Sequence, residues 1–511
     1  MGEKIFFVSR EFADIAEAGG VKDVVNSLAA VALKKAFSVT VFLPHYGSTI
    51  NSFLTEEKEI PLVIDIKSAE NTYKVSFSSA LYKKIRIIFV HSDIFEQKKS
   101  VYTYTLEDEA ENPEHVRGTG FEDVNILNVL FQKAILSWCC QFNEIPEIFH
   151  CHDAACSLLP FFARRLYPFK KIFSKTKFFI SIHNAGPGYR HQFYSVKEAA
   201  FYTDMDEEEF VNDTIKGQVE PYLLSERYAS LLTVSPWYAR ELLSADNPYC
   251  PDFSSELIKR KTKITGITNG IDWKRYNPEN TEISHLDFSY SPLKGELSGK
   301  YLQRDFFFKN IFNADEYLSV KKFGNIQPDK DSVFFAYHGR LVRQKGIGIF
   351  IDAALCVMEK NPDIKFIVTG QGESELENLC IETAQKYPES FIYFNGYEEK
   401  LARLCVAVSD FLVMPSLFEP CGLEDFIAQF FGTLPLASVT GGLNKIEEGI
   451  TGFHFSPCTP KALFEKILEL SKVKKDNPEK IISIIKTAVK NNIEKYNWDR
   501  VFEEYLKVYF E

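Results

Sequence analysis

The sequence has few of the features that would place a protein in a membrane, in an oxidising compartment or on a nucleic acid. Its 511 residues include 10 cysteines, scattered along the chain, which are too sparse for a disulfide scaffold and fit a reducing compartment. No run approaches the roughly 18 apolar residues that a membrane-spanning helix needs. The net charge is −11, and no basic patch of the kind that binds nucleic acid is visible.

The first residues also lack the parts of a signal peptide. Met1 to Arg10 run into the apolar letters IFFV, without a charged head, a long apolar body or a small-residue cleavage site. Phe6 stands where a myristoylation signal has Ser or Thr. Hydrophobic residues make up 45% of the chain and charged residues 25%, which is a globular composition, and the length favours two domains. We therefore expect a soluble, cytoplasmic protein.

Short apolar runs alternate with stretches of helical periodicity, and this pattern occurs in two successive halves of the chain. It predicts an α/β fold with parallel sheets covered by helices on both faces. Two doubly wound domains that face each other across a cleft are expected, with ligands beyond the carboxyl ends of the strands. The segment from about 280 to 330 has weak periodicity and gives no assignment. The predicted strands are 5–9, 38–44, 85–92, 147–153, 177–184, 231–235, 332–340, 364–372, 391–397, 410–416 and 433–438.

A Gly-Gly loop opens the first predicted helix. In AEAGGVKDVV (16–25), Gly19 and Gly20 let the backbone come close to a ligand, and the start of the helix favours an anion. The same residues are equally typical of an ordinary turn.

Two segments of the second half carry residue types that bind phosphate and sugar groups. In GRLVRQKG (339–346), Arg340 can bind a diphosphate through its planar guanidinium group, and Lys345 can bind it through its single positive charge. A solvent-exposed basic turn without a ligand would have the same sequence pattern. In PSLFEPCGLEDF (415–426), Glu419 can bond sugar hydroxyls, and the helix that follows can hold phosphate on its first N–H groups.

Three histidine-rich or acidic blocks suggest metal ligands but have simpler explanations. The residues of HCHDAAC (150–156) alternate between the two faces of a strand and lack zinc spacing, so we expect no metal there. In SIHNAG (181–186), His183 ends a strand and is better placed for function than most histidines. In TDMDEEEF (203–210), Asp204 and Asp206 form a D-x-D triplet, but helix capping by Thr203 or Asp204 is the favoured interpretation.

Taken in order, these blocks make the sequence resemble the glycogen/starch synthase family over nearly the whole chain. Any single block could be coincidence, but the ordered set, together with the amino-terminal A-G-G-V-x-D-V block, could hardly be. The most specific pieces are SLFEPCGL, GRLVRQKG, TNGIDWKRYNP (268–278), LTVSPWYARE (232–241) and TGGLNKIEEGITGFHF (440–455).

The resemblance implies two facing Rossmann-like domains, the glycosyltransferase B architecture. An acceptor-side domain would cover 1–266, a sugar-nucleotide domain 267–493, and a last helix, 494–511, would cross back to the first domain. The implied reaction is retaining transfer of glucose from ADP-glucose, or less often UDP-glucose, to the non-reducing 4-hydroxyl of an α-1,4-glucan such as glycogen or a maltooligosaccharide. It implies no metal and no other cofactor.

The resemblance also implies site residues by matching position. Arg340 and Lys345 would bind the diphosphate, Glu419 would contact the glucose, His183 would lie near the transferred sugar, and Asp153 near the glucose and acceptor. Gly20 and Asp23 belong to the amino-terminal donor loop, Asn269 lies near the cleft, and Tyr397 would flank the base. The implied substrate contacts are Gly19, Gly20, Asp23, Asn269, Tyr397, Cys421, Gly422 and Leu423.

Three positions depart from the family pattern, all in the first domain. Glu17-Ala18 replaces Lys-Thr before the Gly-Gly pair, which should weaken electrostatic stabilisation of the donor. Ala154-Ala155 replaces Trp-His after His-Asp, and Gly186-Pro187-Gly188 replaces Tyr-Gln-Gly. Two alternatives therefore stay open: a related glycosyltransferase or phosphorylase with another sugar or acceptor, and a degenerate glucan-binding or regulatory protein without turnover.

Overall fold

The computed structural model describes residues 2–310, 320–327 and 331–511. The chain forms two compact units: unit 1 comprises Met1–Thr268 and Val501–Glu511, and unit 2 comprises Asn269–Arg500. The domain limits taken from the sequence, at 266/267 and 493/494, stay predictions beside this division. All ten cysteines are free thiols. Among the described residues, no helix is both long enough and apolar enough to cross a membrane.

Unit 1 is built on a mostly parallel sheet with the strand order β11-β10-β7-β6-β1-β2-β5-β4-β3. Its central strand β1 is almost fully buried because its apolar side chains point into both helical layers. Each such side chain contributes about 1.5–3 kcal/mol when fully buried. The strands are β1 Lys4–Val8, β2 Ser38–Pro44, β3 Thr55–Ser68, β4 Asn71–Tyr82, β5 Ile85–His91, β6 Ile148–His152, β7 Lys177–Ile182, β8 Thr214–Ile215, β9 Gln218–Val219, β10 Ser230–Thr233 and β11 Ile264–Gly266.

The helices of unit 1 lie between these strands, and the last helix of the chain starts just before residue 501. α4 is the longest of the first ten and is apolar around most of its circumference, as a helix packed inside a two-layered fold requires. The helices are α1 Val21–Lys34, α2 Asp93–Glu96, α3 Leu106–Glu111, α4 Val124–Phe142, α5 Leu159–Arg165, α6 Phe169–Ile172, α7 Val196–Thr203, α8 Pro221–Ser225, α9 Pro236–Leu242 and α10 Pro251–Arg260.

Unit 2 repeats the plan with the strand order β12-β15-β14-β13-β16-β17-β18. Within the weakly periodic segment from 280 to 330, α11, α12 and β12 are formed, whereas 311–319 and 328–330 lie outside the described residues. The strands are β12 Lys321–Phe323, β13 Val333–His338, β14 Ile364–Gly370, β15 Phe391–Asn395, β16 Phe411–Met414, β17 Leu434–Ser438 and β18 Phe453–Phe455. The helices are α11 Thr281–Ser284, α12 Ser298–Asn310, α13 Ile347–Met358, α14 Ser374–Lys386, α15 Glu399–Ala407, α16 Glu424–Phe430, α17 Pro460–Asp476 and α18 Pro478–Lys495; α19, Trp498–Phe510, continues into unit 1.

The structure confirms the α/β class and every predicted strand, and it adds antiparallel strand pairs at the edges of the predicted parallel sheets. β3 and β4 form a long antiparallel hairpin on the outer edge of β5, and β12 pairs antiparallel with β15. From Ile60 onward, β3 alternates exposed residues with partly or fully buried ones, as is typical of a strand with one solvated face.

The predicted cap at residues 203–204 is also wrong. Thr203 ends α7, and Asp204 follows it in the left-handed region with φ 52°. Asp206 is the residue that precedes a short 3₁₀ helix, Glu207–Glu209, and its side chain makes no capping hydrogen bond. The acidic run therefore follows one helix and starts a much shorter one.

Candidate active site

In unit 2, the turn that carries Arg340 and Lys345 packs closely against the loop after β16, and Gly346 makes this close approach possible. Gly346 has φ 71°, and a Cβ atom there would lie 1.9 Å from the carbonyl oxygen of Pro415. The close approach permits two hydrogen bonds between the loops, from Leu417 N to Gln344 O (2.9 Å) and from Gln344 Nε2 to Phe418 O (3.3 Å). Glycine is needed here because any other residue would push the loops apart.

This packing brings Lys345 and Glu419 into contact. Lys345 Nζ donates to Glu419 Oε2 at 2.5 Å, and Ser416 Oγ donates to the same oxygen at 3.1 Å. The backbone of Glu419 is fixed as well, since its carbonyl oxygen accepts from Gly442 N at 2.8 Å. A cation and a carboxylate thus share one partly buried edge of the sheet.

Arg340 lies in the same neighbourhood. Its carbonyl oxygen accepts a hydrogen bond from the hydroxyl of Tyr337 at 3.0 Å. Burial raises the pKa of Tyr337, the Glu419 carboxylate raises it further, and the Arg340 guanidinium opposes the shift. Both charges act on this phenol because both lie close to it. The sequence-predicted group of Arg340, Lys345 and Glu419 is therefore brought together within unit 2.

A buried lysine that the sequence analysis missed shapes the Cys421-Gly422 turn. Lys445 Nζ donates to Cys421 O at 2.6 Å and to Gly422 O at 2.9 Å, and lies 3.0 Å from Asp425 Oδ1. Burial raises the pKa of Asp425 to about 6, although Lys445 opposes the shift. The sequence feature that could have identified Lys445 is its position inside the Gly-rich block TGGLNKIEEG (440–449). Leu423 follows the turn as the residue that precedes α16.

Asn269 completes this group with an unsatisfied acceptor. Its backbone N–H contacts the thiol of Cys421, and burial raises the pKa of that thiol to about 11. Asn269 is buried, and its Oδ1 atom accepts no hydrogen bond from the residues that the structure describes. A buried polar atom without a partner is costly, so this oxygen is suited to a ligand that brings a donor.

Tyr397 lies beside a separate concavity of unit 2. The concavity is lined at the ends of β13, β14 and β15 by His338, Thr369, Gly370 and Tyr397. His338 Nδ1 lies 2.7 Å from Thr369 Oγ1, and Tyr397 is 63% exposed. His338 and Thr369 were not predicted, although each occupies the end of a predicted strand, where ligands are expected.

In unit 1, Asp153 directly follows β6 and has a strained conformation. It has φ 61°, which is uncommon for a residue other than glycine and is often associated with function. Its Oδ1 atom accepts from His183 N at 2.7 Å and from Asn184 N at 3.3 Å. Burial nevertheless raises the pKa of Asp153 to about 7, because these two bonds only partly offset the desolvation.

His183 is held beside a second histidine. Its Nε2 atom lies 2.9 Å from His152 Nδ1. Burial lowers the pKa of His183 to about 3, so its ring is neutral at pH 7. The structure therefore brings Asp153 and His183 together: the carboxyl of Asp153 binds the backbone of His183, whose imidazole is uncharged.

The Gly-Gly loop is tied to this group by Glu11, which the sequence analysis missed. Gly19 N donates to the buried carboxylate of Glu11, and the charge of Glu11 helps to raise the pKa of Asp153. Gly20 precedes α1, and Asp23 lies in its first turn. The sequence feature that could have identified Glu11 is the charged pair Arg10-Glu11, which directly follows a predicted apolar strand.

Glu17, which departs from the family pattern, does not present an isolated negative charge. Its Oε1 atom lies 3.0 Å from Lys22 Nζ, in the first turn of α1, and accepts from Asp14 N at 3.0 Å. The anion gained at position 17 is therefore balanced by a cation five residues later.

Known families and proteins match both units. Residues 4–250 match a family model described as starch synthase catalytic domain, and residues 333–472 match one described as glycosyl transferases group 1. The chain is 30% identical over 524 residues to a glycogen synthase of Thermodesulfovibrio yellowstonii, covering 99% of this chain and 97% of that one. A glycogen synthase of Acholeplasma laidlawii is 27% identical, with 99% and 98% covered.

Solved structures show the same fold. The catalytic domain of starch synthase IV from Arabidopsis thaliana, bound to ADP and acarbose, superposes with a TM-score of 0.83 at 22% identity, covering 100% of this chain and 99% of that one. A sucrose-phosphate synthase from Thermosynechococcus elongatus gives a TM-score of 0.55 at 14% identity, with 99% and 98% covered. These likenesses show a GT-B glycosyltransferase fold.

Proposed function

Because the chain belongs to the glycogen/starch synthase family of glycosyltransferases, we propose that it transfers glucose from ADP-glucose, or UDP-glucose, to the non-reducing 4-hydroxyl of an α-1,4-glucan. The proposed acceptor is glycogen or a maltooligosaccharide, and the anomeric configuration is retained. The related starch synthase IV was solved with ADP and acarbose. ADP is the nucleotide that ADP-glucose releases, so ADP-glucose is the first donor to test.

The observation that carries the proposal is the contact between Lys345 and Glu419. A sugar diphosphate presents phosphates, which need cations, and hydroxyl groups, which need acceptors. Lys345 and Arg340 supply the charge, while Glu419 and the unsatisfied oxygen of Asn269 supply acceptors within the same unit. One edge of unit 2 therefore has the chemistry for both ends of the donor.

We propose that the reaction needs no metal ion. Breaking the bond between glucose and phosphate places negative charge on the leaving diphosphate and positive charge on the sugar. Arg340 and Lys345 stabilise the first charge as fixed cations, which cost no reorganisation during the reaction. The carboxylate of Glu419 stabilises the positive charge on the sugar. It also binds Lys345 and so keeps the lysine ammonium group in position.

The proposed route to retention is transfer on one face of the sugar. A double displacement needs a carboxylate as nucleophile on the sugar, whereas the Oδ1 atom of Asp153 is already held by the backbone N–H groups of His183 and Asn184. We therefore favour a route in which the leaving phosphate helps to deprotonate the acceptor hydroxyl. A neutral His183 can bond a sugar hydroxyl without adding positive charge next to the forming cation.

Transfer of labelled glucose into glycogen tests the proposal. The purified chain is assayed with ADP-glucose and with UDP-glucose, each in the presence of a chelator. We expect incorporation from one donor or both, and we expect the chelator to leave it unchanged. A folded protein that binds glycogen or nucleotide but incorporates no glucose would instead support the alternatives of another substrate or lost turnover.

A further inference from the structure

Three potential metal ligands converge in unit 1 at the ends of two neighbouring strands. His45 directly follows β2, His91 is the last residue of β5, and Glu96 is the last residue of α2. β2 and β5 pair in parallel, and His45 N donates to Val90 O at 2.9 Å. The sheet itself therefore sets the two imidazoles side by side.

The separations of the ligand atoms suit one ion. His91 Nδ1 lies 2.9 Å from Glu96 Oε1, His45 Nδ1 lies 3.8 Å from the same oxygen, and one ligand atom of each residue lies within 4.8 Å of the others. A tetrahedral zinc ion with bonds of about 2.1 Å holds its ligand atoms roughly 3.4 Å apart. The 2.9 and 3.8 Å separations lie on both sides of that value. An imidazole binds a metal in the plane of its ring, so the stacked rings must also turn for both Nδ1 atoms to face one ion.

The surroundings leave one nitrogen of each ring available for an ion. Ser78 Oγ lies 2.7 Å from His91 Nε2, which leaves Nδ1 as the atom that faces Glu96. The ring of His45 packs against the edge of Phe89 and stacks on His91 with centroids 4.4 Å apart. His45 Nδ1 is buried and has no hydrogen-bond partner among the described residues. An ion would satisfy this atom.

The ligand types select a class of metal. Two imidazoles and one carboxylate favour divalent ions of borderline softness, whereas Mg²⁺ and Ca²⁺ prefer oxygen ligands alone. The side chain of Glu96 is 46% exposed, so water can complete the coordination. Across the described parts of the chain, these residues form the one group of at least three potential ligands at such distances.

We propose that His45, His91 and Glu96 bind a single divalent cation such as Zn²⁺. The ion would join the loop after β2 to α2, which already touch: a Cβ atom at Gly47 would lie 2.4 Å from Glu96 O. Tyr46, the residue after His45, accepts a hydrogen bond from Arg10 Nε at 2.8 Å. The bound ion would therefore stabilise the loop that supports Arg10, and none of its ligands belongs to the transfer site.

The test is metal binding by the full chain after removal of bound metal with a chelator and of the chelator by dialysis. Cys356 is the exposed cysteine, so the protein carries Cys356→Ser to remove competition from that thiol. Titration calorimetry with Zn²⁺ is expected to show one ion per chain, and the thermal unfolding temperature is expected to rise. Co²⁺ is expected to give visible absorption bands without a thiolate charge-transfer band.

His45→Gln, His91→Gln and Glu96→Gln should each weaken Zn²⁺ binding by more than about 10-fold, since losing even a partner outside the ligand set commonly costs that much. His115→Gln is the matched control, because His115 stacks on Tyr104 and is not part of the cluster. Glu96→Gln changes an exposed group and should fold normally, which keeps the test valid if a histidine variant does not fold.

Absence of stoichiometric binding, equal binding by Glu96→Gln, or a thiolate band with Co²⁺ would each overturn the proposal. The readout is independent of glucose transfer, so its outcome is separate from that of the proposed reaction.

Discussion

Lys345 Nζ lies 2.5 Å from Glu419 Oε2, in a contact that joins two loops of unit 2. The loops follow β13 and β16, which are neighbours in the sheet although 74 residues separate the two side chains in sequence. Their exposed fractions are 26% and 11%, so the pair is screened less than a surface ion pair. Each charge therefore positions the other.

Glu419→Gln is expected to separate catalysis from nucleotide binding. The change keeps the shape of the side chain but removes the charge that faces the sugar, so transfer should fall by about 100- to 1000-fold. The amide oxygen of glutamine can still accept a hydrogen bond from Lys345, whose charge is no longer shared with a carboxylate, so ADP affinity should stay equal or rise. Turnover and ADP calorimetry measure the two effects. Glu375→Gln, at a side chain that is 76% exposed, should change neither, and a parallel loss of turnover and ADP binding in Glu419→Gln would contradict the assignment.

Asp153→Asn is expected to alter how stability depends on pH. Burial raises the pKa of Asp153 to about 7, above its ordinary value near 4. Between about pH 4 and 7, the folded state keeps a proton that the unfolded state releases, so this residue lowers stability as pH rises. Asparagine cannot ionise and has nearly the same size and shape as aspartate, so it can take the same place in the backbone.

Urea unfolding at pH 4.5, 6 and 8 measures this effect. The variant should gain stability relative to the wild type as pH rises towards 7, with no further relative gain above it. Asp206→Asn, at an exposed position, should follow the wild-type curve. If Asp153→Asn also followed the wild-type curve, the carboxyl of Asp153 would not be protonated in the folded state.

Apolar runs predicted the central strands because those strands are buried on both faces, but the β3–β4 hairpin was not predicted. Over part of their length its strands alternate polar and apolar residues, and its turn contains Ala69 and Glu70 with φ values of 52° and 61°. Such turns usually contain Asn or Gly, which adopt positive φ at low cost. The sequence therefore lacks the usual hairpin signal, and the backbone tolerates two uncommon conformations instead.

The site motifs were predictable because parallel strands bring the residues after them to one edge of a sheet. Glu11 and Lys445 were not predicted, since their position depends on which backbone groups fold over them. Glu11 accepts from Gly19, and Lys445 donates to Cys421 and Gly422. A charged residue that is buried by distant segments leaves little local pattern in the sequence.

Lys445→Met should destabilise unit 2. It removes the cation 3.0 Å from Asp425, whose side chain is almost fully buried, and leaves a carboxylate without a partner. Breaking a buried pair in this way costs about 3–5 kcal/mol. Lys461→Met is the control, because that side chain is 86% exposed and such changes stay within about 0.5 kcal/mol.

Chemical unfolding monitored by circular dichroism compares the two lysine variants. Replacing Asp425 with Asn in the Lys445→Met background should recover part of the loss, because the unpaired charge is removed. Equal stability of the Lys445→Met and Lys461→Met variants would show that the buried pair does not hold the Cys421-Gly422 turn.

Glu17→Lys should improve use of the sugar nucleotide. The change removes the anion that pairs with Lys22 and adds a cation beside the Gly-Gly loop. Interactions between exposed charges are worth about 0.2–1 kcal/mol each, so removing an anion and adding a cation should raise kcat/KM for the donor by about 2- to 30-fold. Glu17→Gln should give a smaller rise. An unchanged or lower kcat/KM in both variants would mean that the loop does not act on the donor through charge.

The most direct test of the transfer site compares Lys345→Ala with Arg343→Ala in the labelled-glucose assay with glycogen. Both residues lie in the same short turn, but Arg343 is 75% exposed and pairs with Glu375 at 2.9 Å rather than with Glu419. Lys345→Ala should lower the rate of transfer by about 100-fold or more, and Arg343→Ala should leave it unchanged. Wild-type turnover in the Lys345→Ala variant would contradict the proposed role of Lys345 in stabilising the leaving diphosphate.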